Sequence, residues 1–158
     1  MSIMALPFSH RAAVLPLPTG TSKAVSLIRM HPPETHVDLL ERPLFAHLAT
    51  VRRDGSPQVN PMWFLWDGEH GVVKLTPTKE RHNYRHVQRE PRVALSIADP
   101  DNQYRYLQVR GLVEGIEDDP TGRFYQVLQQ RYRGKVTEVA DRDVRVILTV
   151  RPTGFKVR

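Results

Sequence analysis

Arg81, Arg85 and Arg89 recur at intervals of four residues, and His82 and His86 repeat that interval one position later. On a helix this spacing stacks three guanidiniums in one row, with two imidazoles in the row beside it. The chemistry open to such a surface is anion binding. Thr76-Pro77-Thr78-Lys79 leads into the segment, and a helix start there adds free backbone N–H groups and the positive end of the helix dipole. Together these groups would hold a phosphate or a carboxylate, each charge-assisted hydrogen bond contributing about 1.5–3 kcal/mol. The competing reading is a charged helix face turned to water. His82 and His86 also have the spacing of a metal pair, but no third carboxylate or histidine stands at a telling distance and arginines crowd the same surface. Two solvent-facing histidines are therefore expected, and no metal. His47, inside a strand-like run, is expected to be packed or hydrogen-bonded rather than catalytic.

Other reactive devices are missing from the chain. Cysteine is absent, which removes thiolate nucleophiles, thiolate metal sites and disulfides. There is no glycine-rich phosphate loop and no Gly-x-Ser-x-Gly elbow. Ser56 follows Gly55 and precedes Pro57, which is turn chemistry. No pair of carboxylates stands out as an acid–base couple. An enzyme built from these residues would take its reactivity from a cofactor, and no catalytic residue is assigned.

The elements that must position the basic segment are mostly strands. A short helix is expected over 36–41, stopped by Pro43, followed by a strand over 44–52. Asp54-Gly55 marks a tight hairpin, and 56–65 is the return strand. Pro57 and Pro61 cannot donate to a ladder, so that strand is irregular or partly at an edge, where a flat ligand could dock. Asp67-Gly68 turns into a third strand over 70–76, which delivers the chain to the basic helix over 79–90, ended by Pro91. A fourth strand is expected over 93–98 and a long fifth over 104–117, with Leu107, Val109, Gly111 and Val113 on one face. Asp119-Pro120 opens a helix over 120–133 whose stripe of Phe124, Val127, Leu128, Arg131 and Tyr132 packs on the outside, and Gly134 closes it. A sixth strand is expected over 144–150. Six antiparallel strands with few helices indicate a mainly β fold, a closed or split barrel.

The chain's 158 residues, 40% hydrophobic and 25% charged, suit one globular domain. The proposed organisation is an N-terminal extension over 1–30, a barrel domain over 31–152 and a tail over 153–158. The extension carries Pro7, Pro16, Pro18 and Thr19-Gly20-Thr21-Ser22 without sustained periodicity, and Met30 is a candidate natural start. Pro16 and Pro18 break its apolar run, against a signal peptide. No segment has the uninterrupted apolar length of a membrane span, and a cytoplasmic setting is expected. A net charge of +6 raises nucleic acid as a partner. The basic residues are spread along the chain, however, with one concentration at 79–92, which suits a small polyanion better than a duplex.

Several separated segments carry a resemblance: Pro57-Gln58-Val59-Asn60-Pro61-Met62-Trp63-Phe64, the Trp66-Asp67-Gly68 turn, the run from Arg81 to Arg92, and the run from Asp99 to Gly111. In this order they resemble the pyridoxamine-phosphate-oxidase-like split-barrel proteins, and more narrowly the branch that uses the deazaflavin coenzyme F420. The resemblance covers about residues 33 to 152. It implies a homodimer of six-stranded split barrels, with coenzyme F420 in a groove at the subunit interface and hydride transfer to a small conjugated organic substrate. It implies that the ring lies against Gln58, Val59, Asn60, Pro61 and Met62, and that the anionic tail reaches Thr76, Arg81, Asn83 and Arg85. Tyr104, Arg105 or Tyr132 would close the pocket. The branch usually has a lysine where this chain has Asn83, and Lys79 is the expected substitute. FMN, used by other members of the fold, is the alternative cofactor; an FMN-binding oxidase or flavin reductase, or a cofactor-binding protein without turnover, are the alternative functions.

Overall fold

In a computed structural model, which describes residues 30–158, seven strands form one antiparallel sheet. A 3₁₀ turn, Glu34–His36, and a short helix α1, Asp38–Glu41, precede β1 (Ala46–Val51), β2 (Pro57–Met62), β3 (Phe64–Asp67) and β4 (Val72–Leu75). Helix α2 (His82–Arg89) leads to β5 (Arg92–Asp99) and the 17-residue β6 (Asn102–Asp118). Helix α3 (Arg123–Arg133) and a 3₁₀ turn, Arg142–Val144, come before β7 (Val146–Val157). Of the expected extension over 1–30, residues 1–29 lie outside the described residues and only the candidate start Met30 lies within them.

The strand order is β2-β1-β5-β6-β7-β4-β3. Strands β2 and β3 are thus the two ends of the sheet, yet a single residue, Trp63, joins them. The sheet must curl until its edges approach, which makes a barrel split at Trp63. Six strands were expected and seven are present, because the segment read as one return strand changes partner at this residue. Before it, Met62 pairs with Ala46 of β1; after it, Phe64 pairs with Leu75 of β4.

The hairpin between β1 and β2 forms where Asp54-Gly55 predicts it. Gly55 takes φ +85°, and Asp54 accepts from the Ser56 N–H at 3.0 Å. Strand β6 buries Leu107, Val109, Gly111 and Val113 on one face, as the alternation predicts. Gly111 sits at a bulge where β7 comes so close that a Cβ would lie 2.6 Å from Val150 Cγ1 and 2.7 Å from the Arg151 carbonyl. That bulge also explains why β7 continues past Pro152 to Val157, so that 153–157 belong to the sheet rather than to a tail. Pro152 has no N–H to give and pairs with Gly111 where the ladder is already interrupted. The core beneath the sheet includes Leu48, Phe64, Leu75, Leu95, Ile97, Leu107 and Leu148, all essentially inaccessible, with Leu39 and Leu40 of α1 packed in.

Helix α3 starts at Arg123, three residues later than Asp119-Pro120 suggests. Asp119 still caps it: its two carboxylate oxygens each accept at 3.0 Å, from the N–H groups of Arg123 and Phe124. Gly134 closes the helix at φ +67°, as expected. The apolar stripe is narrower than read, since Leu128 is buried and Val127 is exposed. Attachment comes from polar side chains. Arg131 donates to the Leu40 and Arg42 carbonyls, and the Tyr132 hydroxyl donates to the Leu44 carbonyl at 2.7 Å and accepts from the Phe64 N–H at 3.0 Å. His47 points outward and is exposed, contrary to expectation, because its neighbours Ala46 and Leu48 take the inward face of β1.

Candidate functional site

The basic helix is less solvated than its sequence suggests. Asn83, His86 and Val87 are buried, so one face of α2 packs on the barrel and the arginines take the outer side. His86, expected to face water, shares a 2.9 Å hydrogen bond through Nδ1 with Thr50 Oγ1 of β1. Burial pushes its pKa below the ordinary imidazole value, and Arg89 and His82 act in the same direction. Arg81 precedes the first turn in an extended conformation and no side chain caps the helix. The N–H groups of His82 and Asn83 therefore lack an intrahelical acceptor, as the first donors of any helix do. Asn83 ties the helix start to β2: its Nδ2 donates to Met62 Sδ at 3.1 Å, while its Oδ1 accepts from the Tyr84 N–H at 2.9 Å.

Beside this helix start lies a cavity of about 350 Å³. One wall comes from β2, through Gln58, Asn60, Pro61 and Met62. A second comes from the β4–α2 connection, through Thr76, Thr78, Arg81 and Asn83. The Thr76 hydroxyl is buried and has no hydrogen-bond partner. Among the described residues the Arg81 guanidinium makes no hydrogen bond and no ion pair. A shallower concavity continues past Gln58 and His82, lined by Arg52, Arg53, Asp54 and His86.

The third wall is aromatic and was not foreseen from the sequence. Trp63, at the point where the barrel splits, stacks on Tyr125 (centroids 5.9 Å apart, planes at 19°) and on Tyr132 (4.8 Å, 9°). Arg133 lies 4.7 Å over the Trp63 ring, and Arg145 lies 3.6 Å over Tyr125. Arg145 is further held by Asp141, whose carboxylate accepts from Nε at 2.8 Å and Nη2 at 2.9 Å, and it donates to the Thr76 carbonyl at 3.2 Å. Burial pushes the Tyr132 phenol above its ordinary pKa, so its hydroxyl stays protonated and its clasp on Leu44 and Phe64 is kept. Tyr125 and Tyr132 are seven residues apart on α3, a spacing of two turns that puts both on one face. That spacing was legible; their meeting with Trp63 was not, because it depends on how α3 docks.

Seven of the ten residues singled out by sequence line the cavity: Gln58, Asn60, Pro61, Met62, Thr76, Arg81 and Asn83. Three lie off it. Val59 points to the opposite face of β2 and is 56% exposed, as strand alternation requires. Lys79, the expected substitute for a lysine at position 83, is directed to Asp118, 2.6 Å away, which raises its pKa. Arg85 is exposed one turn along α2 and away from the cavity. Tyr104 and Arg105 do not line the cavity either: Tyr104 is 66% exposed, and Arg105 is bonded to Asp38 and Asp99. Among the described residues no group of three or more His, Asp or Glu side chains is placed to hold a metal ion, and no helix is long and apolar enough to cross a membrane.

The family model for pyridoxamine 5′-phosphate oxidase matches residues 32–157. Among solved structures, a protein described as an F420 reductase is similar at 59% sequence identity, with a TM-score of 0.75, over 79% of this chain and 98% of that one. A conserved hypothetical protein from Mycobacterium tuberculosis shares the fold at 22% identity and a TM-score of 0.65, over 82% of this chain and 86% of that one. The general stress protein 26 of Bacillus anthracis does so at 19% identity and 0.61, over 81% and 94%.

Proposed function

The chain belongs to the pyridoxamine 5′-phosphate oxidase family, and from that membership we propose that it is a reductase using the deazaflavin coenzyme F420 to reduce a small conjugated organic substrate. The observation that carries the reading is the meeting of three unsatisfied groups in one cavity: the unpaired Arg81 guanidinium, the uncapped start of α2 and the orphaned Thr76 hydroxyl. A buried hydroxyl without a partner costs about 1–3 kcal/mol, a penalty that a bound acceptor or donor removes. The donor set therefore fits a ligand with an anionic arm and a polar ring edge. The 59% identity to a protein described as an F420 reductase supports the deazaflavin over FMN. The basic surface that continues to Arg52 and Arg53 supports a long acidic arm over a single phosphate.

In this reading Arg81 and the N–H groups of His82 and Asn83 hold the anionic arm. Asn83 and Met62, bonded to each other, fix the distance between the helix start and β2. Gln58 and Asn60 are themselves ordered, Gln58 Nε2 donating to Asn60 Oδ1 at 2.9 Å, and they would present amide groups to the ring edge. The chemistry supplied by the bound deazaflavin is hydride transfer; the chain contributes orientation and exclusion of water. We further propose a cytoplasmic homodimer. It is supported by β2 lying at a sheet edge with Val59 56% and Phe45 53% exposed, Phe45 also lining the cavity.

The test is anaerobic turnover with reduced F420 against a panel of quinones, enones and tetrapyrroles, with FMN as the competing cofactor. Reoxidation of the deazaflavin that depends on protein and acceptor is expected. A yellow protein that purifies with flavin and turns over only with FMN would replace this reading with a flavin oxidase or flavin reductase. Tight F420 binding with no acceptor reduced would leave a carrier.

A further inference from the structure

The cavity has two cationic poles, and an acidic cofactor arm accounts for one. Arg81 stands at the helix start; Arg133, in the last turn of α3, stands on the aromatic wall. Among the described residues neither forms an ion pair or donates a hydrogen bond. The third guanidinium of the cavity, Arg145, is neutralised by Asp141 and adds no net charge. Arg133 is oriented instead by its position over Trp63, an interaction that uses the ring face and leaves the guanidinium N–H donors free. The platform beneath it is fixed, because Trp63 stacks on Tyr132, and the Tyr132 hydroxyl is bonded to the backbone on both sides of the split.

Resting on the cofactor reading above, we propose that Arg133 is the substrate-recognition residue and that the substrate is a flat conjugated carboxylate. The carboxylate takes the free donors of Arg133, a bidentate match that a lysine reproduces only as a point charge. The conjugated part lies along the aromatic wall of Phe45, Trp63 and Tyr125. Arg133 comes from the end of α3 and Arg81 from the start of α2, so the two anions are assigned to separate elements of the cavity lining.

The test uses the full chain, labelled with nitrogen-15, and follows its two indole N–H signals. Trp63 lines the cavity and Trp66 does not, so Trp66 is the control in the same spectrum. The probes are trans-cinnamate and trans-cinnamamide, alike in shape and different in charge. Cinnamate is expected to shift the Trp63 signal with at least about tenfold higher affinity than the amide, leaving Trp66 unmoved. In Arg133→Gln the preference disappears, and in Arg133→Lys part of it remains. F420 affinity, measured on the same samples, stays within about twofold of the parent protein in both variants. An unchanged Trp66 signal reports that each variant is folded. Equal affinities for the two probes in the parent protein overturn the inference while leaving F420 binding intact. So does an Arg133→Gln variant that loses F420 as Arg81→Ala does, since Arg133 would then serve the cofactor. Failure of the parent protein to bind F420 at all overturns the cofactor reading itself and the inference with it.

Discussion

Thr76 and Arg81 separate ligand binding from folding more cleanly than any other residues in the cavity. The Thr76 hydroxyl is buried with nothing to bond, so Thr76→Val removes an unsatisfied group at nearly constant shape. Without ligand, stability to denaturant is expected to rise by about 1 kcal/mol. F420 affinity is expected to fall severalfold, by an amount corresponding to about 1 kcal/mol. A variant less stable and equally able to bind would show that the hydroxyl serves the fold. Arg81→Ala should weaken F420 by about tenfold or more, the effect of losing a charge-assisted contact. Lys79→Ala should change it by less than about twofold, because Asp118 already holds Lys79 Nζ at 2.6 Å. The summed fluorescence of Trp63 and Trp66 follows both titrations. The arginine row was legible, but the sequence does not distinguish Arg81, which lines the cavity, from Arg85, which does not. Which one reaches the cavity depends on α2 beginning at His82 rather than at Lys79, one turn of rotation that periodicity cannot supply.

At the level of elements, the site exists because a strand breaks at Trp63 and a helix closes over the break. Tyr132 joins the two, bonding the Leu44 carbonyl before β1 and the Phe64 N–H at the start of β3. Tyr132→Phe leaves both backbone groups short of a partner and is expected to cost about 1–3 kcal/mol in urea unfolding. It should also loosen the Trp63 stack, seen as a red shift of indole emission; a variant with parent stability would assign the attachment of α3 to Arg131 and packing alone. The first hairpin, the buried face of β6 and the Gly134 stop were readable, since each rests on local chemistry: Asp54-Gly55, strict alternation, a left-handed C-cap. The second turn runs on from Asp67-Gly68 to Gly71, which takes φ +66°, so β4 begins at Val72 rather than at 70. The split was not readable. Pro57 and Pro61 announce an irregular strand, but nothing local says that Met62 and Phe64 pair with different partners. The full length of β7, expected to end at 150, was hidden in the same way, because its pairing past Pro152 depends on the bulge at Gly111.

Across the whole molecule, the segment before β1 is fastened to the β5–β6 hairpin by an ion network. Arg105 binds Asp38, Asp99 (2.7 Å) and the Thr35 carbonyl (2.7 Å), while Arg42 binds Asp99 (3.1 Å) and Asp101 (2.6 Å). Arg105 first, then the Asp101 N–H and Arg42, hold the Asp99 carboxyl at about 2. A carboxyl with a depressed folded-state pKa stabilises the protein fully above its unfolded value near 3.9, and that contribution is lost as pH falls towards about 2. Asp99→Asn should therefore lower the thermal midpoint at neutral pH, and the gap should close between about pH 4 and pH 2. A gap independent of pH would make Asp99 a hydrogen-bonding residue only. The proposed dimer is tested on the same scale: light scattering should give twice the chain mass for the parent protein and one chain mass for Val59→Arg on the exposed face of β2. Two chain masses for both would move the interface elsewhere. The cavity between β2, the start of α2 and Trp63 is where the cofactor must bind, so the most direct test is a titration of the purified protein with F420 and with FMN, read by the Trp63 indole N–H signal. Saturable binding of F420, tighter than FMN by about tenfold and lost in Arg81→Ala, is the predicted result. A Trp63 signal untouched by either molecule would contradict it.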